Sequence, residues 1–483
     1  MTKTDTSKLC AKRSLLSCVL ALAICSLVVV TAARWSRPVP AHAQNPQTVN
    51  CAQWQSSTGP FPPVPNTIDS TCAAIPADFQ GTPAQSNFDL YSWITFIAMN
   101  WPAEQGCVAD TSQSILTAAP NPVWMTYLQD SDVFVPVGKQ PASWCFGSTS
   151  AAAAKGSAGL AKKHLTGERS FRLAHLPPRV RALAAKHPEV RLFLHYSSKA
   201  TNRSRIKTLA TGAKADGSLP EVLQATGDIL VDQNGRWARF SVAMDQDEYK
   251  YIKSKTLWTK AGQQNAGAIS FPWSPLGAME FKAAWKVLGT NDDPSHFFTM
   301  QAIVYNDLSG DPSPGPNPVT VGLVGLHITH KTNHQRNWIW STFEQVENDT
   351  KSFYNPNCPV SQCPPNTKTV SDPTTAQELN AQGEPKYRPT QVVPITPASA
   401  QSLNSNFQGL LKGTPWAYYQ LISTQWTGEA GTAPKPPQLG NSVQETFVPS
   451  GSFYGCINCH TGARAWGNQK ADFSWMLHFG PRQ

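Results

Sequence analysis

Near its C-terminus the chain reads Cys456-Ile457-Asn458-Cys459-His460. Two thiols three positions apart on one helical turn can each add to a vinyl group of a haem. The imidazole that follows is then set beneath the iron, so thioethers hold the cofactor and a ring nitrogen ligates the metal. With Cys and His each at 11 of 483 residues, such a run is expected by chance about 0.006 times in this chain. Two other chemistries use similar residues. A thioredoxin-like dithiol needs a strand-helix-strand frame, which the flanking sequence lacks. A Cys/Cys/His zinc site needs a fourth ligand at workable spacing, and no third cysteine follows the motif.

What would occupy the opposite side of the iron is open. Only 23 residues follow His460. Among them Met476 is the candidate distal ligand, with core packing as its competing role, since Met fills gaps in cores. As a strand, this tail puts Met476 and His478 on one face with Asp472 and Ser474; as a helix, it groups Phe473, Met476 and Leu477. His327 lies within an apolar strand and reads as a core histidine. His330 and His334 read as turn or surface residues. Arg464 and Lys470 could pair with haem propionates, and surface exposure explains them equally well.

The motif resembles that of the c-type cytochromes. More loosely, the chain is similar to large exported bacterial cytochrome c family proteins with a single haem motif near the C-terminus. The phrases that carry this likeness are Trp93-Ile94-Thr95-Phe96 with Asn100-Trp101-Pro102, Leu326-His327-Ile328, Trp340-Ser341-Thr342-Phe343-Glu344 and Asp472-Phe473-Ser474, across roughly residues 88–479. The resemblance implies one covalent haem c and redox chemistry, either electron transfer or catalysis or sensing at an open sixth position. It supplies little mechanism. In small soluble cytochromes c the motif opens a domain, whereas here too little chain follows it. The haem must therefore lean on the residues before it.

Those residues predict an α+β, strand-rich fold: an antiparallel sheet body with a C-terminal haem-binding segment. From Asp89 to Trp101 apolar residues recur at helical spacing, and Pro102 stops the helix. A β region follows. Asn234-Gly235 suits a tight hairpin between Ile229–Val231 and Trp237–Val242. Met279, Phe281, Ala283, Trp285 and Val287 alternate with Glu280, Lys282 and Lys286, as in a half-buried strand. Further strands are expected at Thr299–Tyr305, Val319–Ile328, Trp338–Phe343 and Trp416–Trp426, with a helix near Asn404–Leu411. Polar turns between short strands favour antiparallel pairing.

The first 43 residues stand apart. A basic start, an apolar run from Leu15 to Ala33 and the small-x-small site Ala41-His42-Ala43 have the layout of a secretory signal cleaved before Gln44. A retained membrane anchor is the alternative, because the run is near the lower length limit for spanning a bilayer. Export to the periplasm suits the cysteines. Of eleven, Cys10, Cys18 and Cys25 fall in the leader and two in the motif. Cys51, Cys72, Cys107, Cys145, Cys358 and Cys363 remain, enough for three disulfides, with a local bridge plausible between the last two.

Charge is unevenly spread. The formal net charge is +9, but 1–43 carries six basic and one acidic side chain, leaving +4. Between Lys155 and Lys207 there are thirteen Lys or Arg against Glu168 and Glu189 alone. This island reads as a solvated surface insertion or as a docking patch for an acidic redox partner or anionic lipid. It contains no nucleic-acid-binding motif. The expected organisation is leader 1–43, a disulfide-tied segment with a core helix 44–145, the basic insertion 146–210, the β body 211–350, a Pro-rich loop 351–400 and the haem segment 401–483.

Overall fold

The computed structural model describes residues 48–55, 61–76, 78–79, 82–104, 106–117, 121–147, 167–194, 231–232, 236, 238–305, 317–348, 353–354, 390–391, 396–428, 433–444, 447–448 and 455–479. The leader, Cys358, Cys363 and the Asn234-Gly235 turn lie outside these residues. So does most of the Pro-rich loop.

The body is one nine-stranded sheet. In chain order its strands are β1 (Leu128–Gln129), β2 (Leu192–Leu194), β3 (Arg239–Met244), β4 (Met279–Val287), β5 (Thr299–Val304), β6 (Val319–His330), β7 (Ile339–Gln345), β8 (Tyr419–Thr427) and β9 (Pro434–Lys435). Across the sheet the order is β9-β8-β7-β6-β4-β3-β1, and β5 joins β6 beyond the point where β7 stops. Every pair is antiparallel except β2 with β5, which run parallel. The strand-rich α+β expectation holds.

One face of the sheet packs on helix α1 (Gln85–Met99), where every residue from Phe88 to Met99 is buried. A helix apolar on nearly all sides has to sit inside a protein. Asn100 ends α1, its side-chain amide donating to the Phe96 carbonyl (2.8 Å), and Pro102 follows. Phe343 of β7 stacks on Phe96 at 4.3 Å and meets Trp93 edge-on at 5.2 Å. The few polar groups here are matched: Asp89 accepts from Gln85 (2.9 Å), from Ser399 (3.0 Å) and from the Thr424 amide (3.1 Å). The core-helix reading of this segment is correct.

The second face is also largely covered: on β4 the half-buried alternation holds at Glu280 and Lys282, but every residue from Ala283 to Val287 is buried. Lys286 is buried and paired with Asp292 at 2.5 Å; Ala284 packs with Phe240, Val324 and Val443. Along β7 the residues alternate between two interiors. Ile339 and Phe343 belong to the α1 core, while Trp340 joins a second core with Met244, Ile457, Met476 and Leu477. Ser341 meets Ser92 of α1 at 2.7 Å; Thr342 and Glu344 reach the other way, to Asn441 (3.0 Å) and the Ser442 hydroxyl (2.7 Å). Both faces are therefore wanted dry, and the polar residues between the apolar ones serve as hydrogen-bonding groups.

Two local expectations change. Val231–Asp232 pairs with Phe353–Tyr354, and the Asp232 amide donates to the Arg236 carbonyl at 2.8 Å, while the expected Asn234-Gly235 turn lies outside the described residues. The basic insertion, where described, is helical at 167–175 and in α2 (Pro178–Lys186), and part of its charge is internal. Arg172, only 8% exposed, bonds Asp132 (2.8 Å) and Glu168 (2.5 Å), and Arg191 bonds Glu168 (2.5 Å). The last large helix starts earlier than expected, at Ala398, and the strand after it begins at Tyr419. Disulfides join Cys51 to Cys72 and Cys107 to Cys145. Among the described residues no helix is long and apolar enough to cross a membrane.

Candidate functional site

Two remaining helices carry the site: α3 (Gln246–Ser254), packed on β4, and the one-turn α4 (Cys456–His460). A single turn has almost no stability of its own, so α4 must be held from outside. Its tether is Gln425 of β8, whose Oε1 accepts from the Ile457 amide at 2.8 Å while its Nε2 donates to the Pro436 carbonyl at 2.8 Å. Gly455, which precedes the turn, lets the Gln425 amide approach closely. A Cβ there would lie 2.5 Å from the Gln425 Nε2.

On α4, Ile457 points into the second core and is 3% exposed. Cys456, Cys459 and His460 are half-buried. The two thiols thus stand on the rim, where a vinyl group could reach them. The His460 ring lies 4.4 Å from the Trp340 ring, and its Nδ1–H donates to the Phe473 carbonyl at 2.7 Å. A carbonyl can only accept, so Nδ1 carries a proton, and the neutral ring then has its lone pair on Nε2. That is the tautomer and orientation a metal-bound histidine adopts, with a second group fixing the ring.

The Phe473 carbonyl is aimed by an unusual stretch of backbone. Asp472 (φ 48°) and Phe473 (φ 72°) are consecutive non-glycine residues in the left-handed region, which costs of order 1–3 kcal/mol each. Anchors offset this. The Asp472 carboxylate pairs with Lys331 and accepts from the Phe271 amide at 2.7 Å. Residues 463–471 fold back on themselves, Ala471 bonding to the Ala463 carbonyl (3.1 Å), and are pinned by Gln263 to the Trp466 amide (2.9 Å).

The other sequence candidates are placed as follows. Met476 opens the short helix α5 (Met476–Phe479), so the tail is a helical turn and not a strand; Met476 is 7% exposed in the apolar cluster with Ile457 and Leu477. His478 donates from Nδ1 to the Arg464 carbonyl at 3.0 Å. Arg464 bonds the Thr461 and Ala463 carbonyls, and Lys470 is exposed. His327 is half-buried on β6, in register with Lys282 and Thr342. His334 is a turn residue bonded to Asp78 at 2.7 Å. His330 is a correction. Because β6 runs two residues further than expected, His330 is 1% exposed, accepting at Nδ1 from the Tyr91 hydroxyl (2.7 Å) and donating from Nε2 to the Leu276 carbonyl (2.9 Å). Burial lowers its pKa to about 4, so it stays neutral.

A feature not expected from sequence lies behind the His460 loop. The fully buried Glu248 of α3 meets the half-buried Glu280 of β4, with Asp472 and the buried Ser474 beside them. The only sequence signal was that Glu280, like Lys282 and Lys286, alternates with apolar residues of β4, and that alternation assigned it to solvent.

No family model, curated protein or solved structure matches this chain.

Proposed function

We propose that the chain is an exported mono-haem c-type cytochrome. In this reading Cys456 and Cys459 attach one haem covalently, His460 ligates its iron through Nε2, and the protein transfers electrons to and from a redox partner. The observation that carries it is the His460 Nδ1–H donating to the Phe473 carbonyl within a Cys-x-x-Cys-His turn. When bound, the haem supplies one-electron chemistry. Gln425 holds the attachment turn, Phe473 orients the imidazole and Trp340 lies against it. The leader, the periplasmic location and an acidic partner for the basic insertion belong to the same proposal, with membrane association only if the leader is retained.

A second reading, a haem oxidoreductase or sensor with an open sixth position, is favoured by one observation: Met476 is seated among apolar side chains as a packing residue. One set of measurements tests both. Denatured, acid–acetone-extracted protein keeps its colour and an added mass of one haem; release of haem overturns covalent attachment. If Met476 is the distal ligand, the ferric protein shows the weak near-infrared sulfur-to-iron band, and Met476→Ala removes it. High-spin ferric protein that binds carbon monoxide rapidly once reduced, and is unchanged by Met476→Ala, assigns the open-site reading.

A further inference from the structure

Glu248 is fully buried, and neither of its carboxylate oxygens makes a hydrogen bond at ordinary geometry. The same holds for Glu280 Oε1 and for the Ser474 hydroxyl, which is 1% exposed. Unpaired carboxylate oxygens in a dry interior are expensive, and two such groups facing each other cannot both ionise. The groups around the pair are few. From α3 and its N-terminal cap come Asp245 and Asp247; from the loop behind His460 comes Asp472; from the turn after β6 come Lys331 and, beyond it, Arg336. Asp245 is committed, accepting from the Glu248 amide (3.0 Å) and the Met279 amide (3.1 Å), and Lys331 is spent on Asp472. Of the other basic groups nearby, Lys282 lies two residues on from Glu280 along β4 with its ammonium over the Phe240 ring, and His327 of β6 is in register with Lys282.

We propose that Glu248 and Glu280 form a redox-linked proton site, sharing one proton in the oxidised protein and taking up a second when the haem is reduced. The inference rests on the haem reading above. Its geometry runs from Glu280 to the neighbouring Ser474, which is the next residue after the Phe473 carbonyl that holds His460. One electron arriving from a one-electron donor protein adds a negative charge beside a singly charged carboxyl pair of which Glu248 is fully buried and Glu280 half-buried. The remaining carboxylate is destabilised and takes a proton from solvent; oxidation releases both, so charge and atoms balance over the cycle. Ionisation behaviour agrees. Burial pushes Glu248 far above the usual carboxyl range with the facing Glu280 adding to it, and burial raises Glu280 to about 7 against the opposing Ser474 hydroxyl. The pair titrates as a unit.

The test is a spectroelectrochemical titration of the intact holoprotein between pH 5.5 and 8.5. The midpoint should fall with pH, approaching the one-proton-per-electron slope of about 59 mV per unit, and both Glu280→Gln and Glu248→Gln should flatten it. Infrared difference spectra of unmutated protein give a readout that needs no variant: a protonated-carboxyl band should grow on reduction near neutral pH. A haem-bearing protein whose potential is flat with pH overturns the inference and leaves the haem reading intact. A slope that persists in both variants also overturns it, moving the proton elsewhere. Protein without covalent haem overturns both.

Discussion

On the α1 side of the sheet, Phe96 stacks on Phe343 and Trp93 on Phe407, Trp93 meets Phe343 edge-on, and the Asp89 carboxylate is fully hydrogen-bonded. On the opposite side the attachment turn is hung from Gln425, two successive residues hold positive φ, and the buried Glu248 carboxylate has no hydrogen bond. The first face shows dense apolar burial, worth roughly 1.5–3 kcal/mol for each large side chain. The second accepts strain and unpaired charge, which persist only where surrounding structure overdetermines them. The difference suggests a division of labour. One face supplies stability, and the other spends some of it to fix an imidazole and a charge.

The sharpest way to break this comparison is to weaken the stabilising face alone. Phe343→Ala deletes a fully buried ring that contacts Trp93 and Phe96, and should lower unfolding stability by about 3–5 kcal/mol. The denaturant midpoint reports this. Below the transition the haem spectrum should be unchanged. A spectral change in folded Phe343→Ala protein would mean that the two faces are not separable.

Much of the stabilising face was legible. The period of α1 and the alternation of β4 follow from sequence because each element has one set of apolar residues at a regular spacing. The motif was legible too, because it is local. What could not be read is the second covered face. Lys286 and Thr342 sit at positions where alternation implies water, yet Lys286 is buried against Asp292 of the loop after β4 and Thr342 against Asn441, where residues 441–444 return over the sheet. Nor could the ring orientation of His460 be read, since it depends on Phe473 thirteen residues on and on backbone angles that carry no compositional sign. His330 failed for a smaller reason: a strand that continues for two residues turns a surface histidine into a buried one.

That histidine gives the next test, intermediate in size. Its native pKa is about 4 against 6.5 for the ordinary imidazole, so between these values the unfolded chain binds a proton that the native state refuses. Stability must therefore fall as pH drops from 6.5 toward 4, by about 3 kcal/mol at the lower end. Glu280 and Asp245, both raised to about 7 by burial, act in the opposite sense: their stabilising contribution is present at low pH and lost as pH rises through 7. The informative quantity is the difference between unmutated protein and His330→Gln. That difference should shrink on acidification over this window. A pH-independent difference would show that His330 does not titrate as its burial requires.

The smallest expected effect probes the junction between the faces. Gln425→Ala leaves the Ile457 amide without its acceptor, a cost of about 1–3 kcal/mol. Because α4 is one turn, that cost should fall on local opening of the attachment segment and not on global unfolding. Amide exchange at Ile457–Thr461 should accelerate roughly tenfold to a hundredfold, while amides of α1 exchange as before. Gly455→Ala should do the same for a different reason, its Cβ pushing into the Gln425 amide. The two substitutions should not add. With Gln425 truncated, space opens for the new methyl group, and the double variant should be little worse than Gln425→Ala alone. Additive effects would mean that Gly455 is required for something other than the approach of Gln425. A matching loss of protection in α1 would tie the attachment turn into the core and erase the distinction between the two faces.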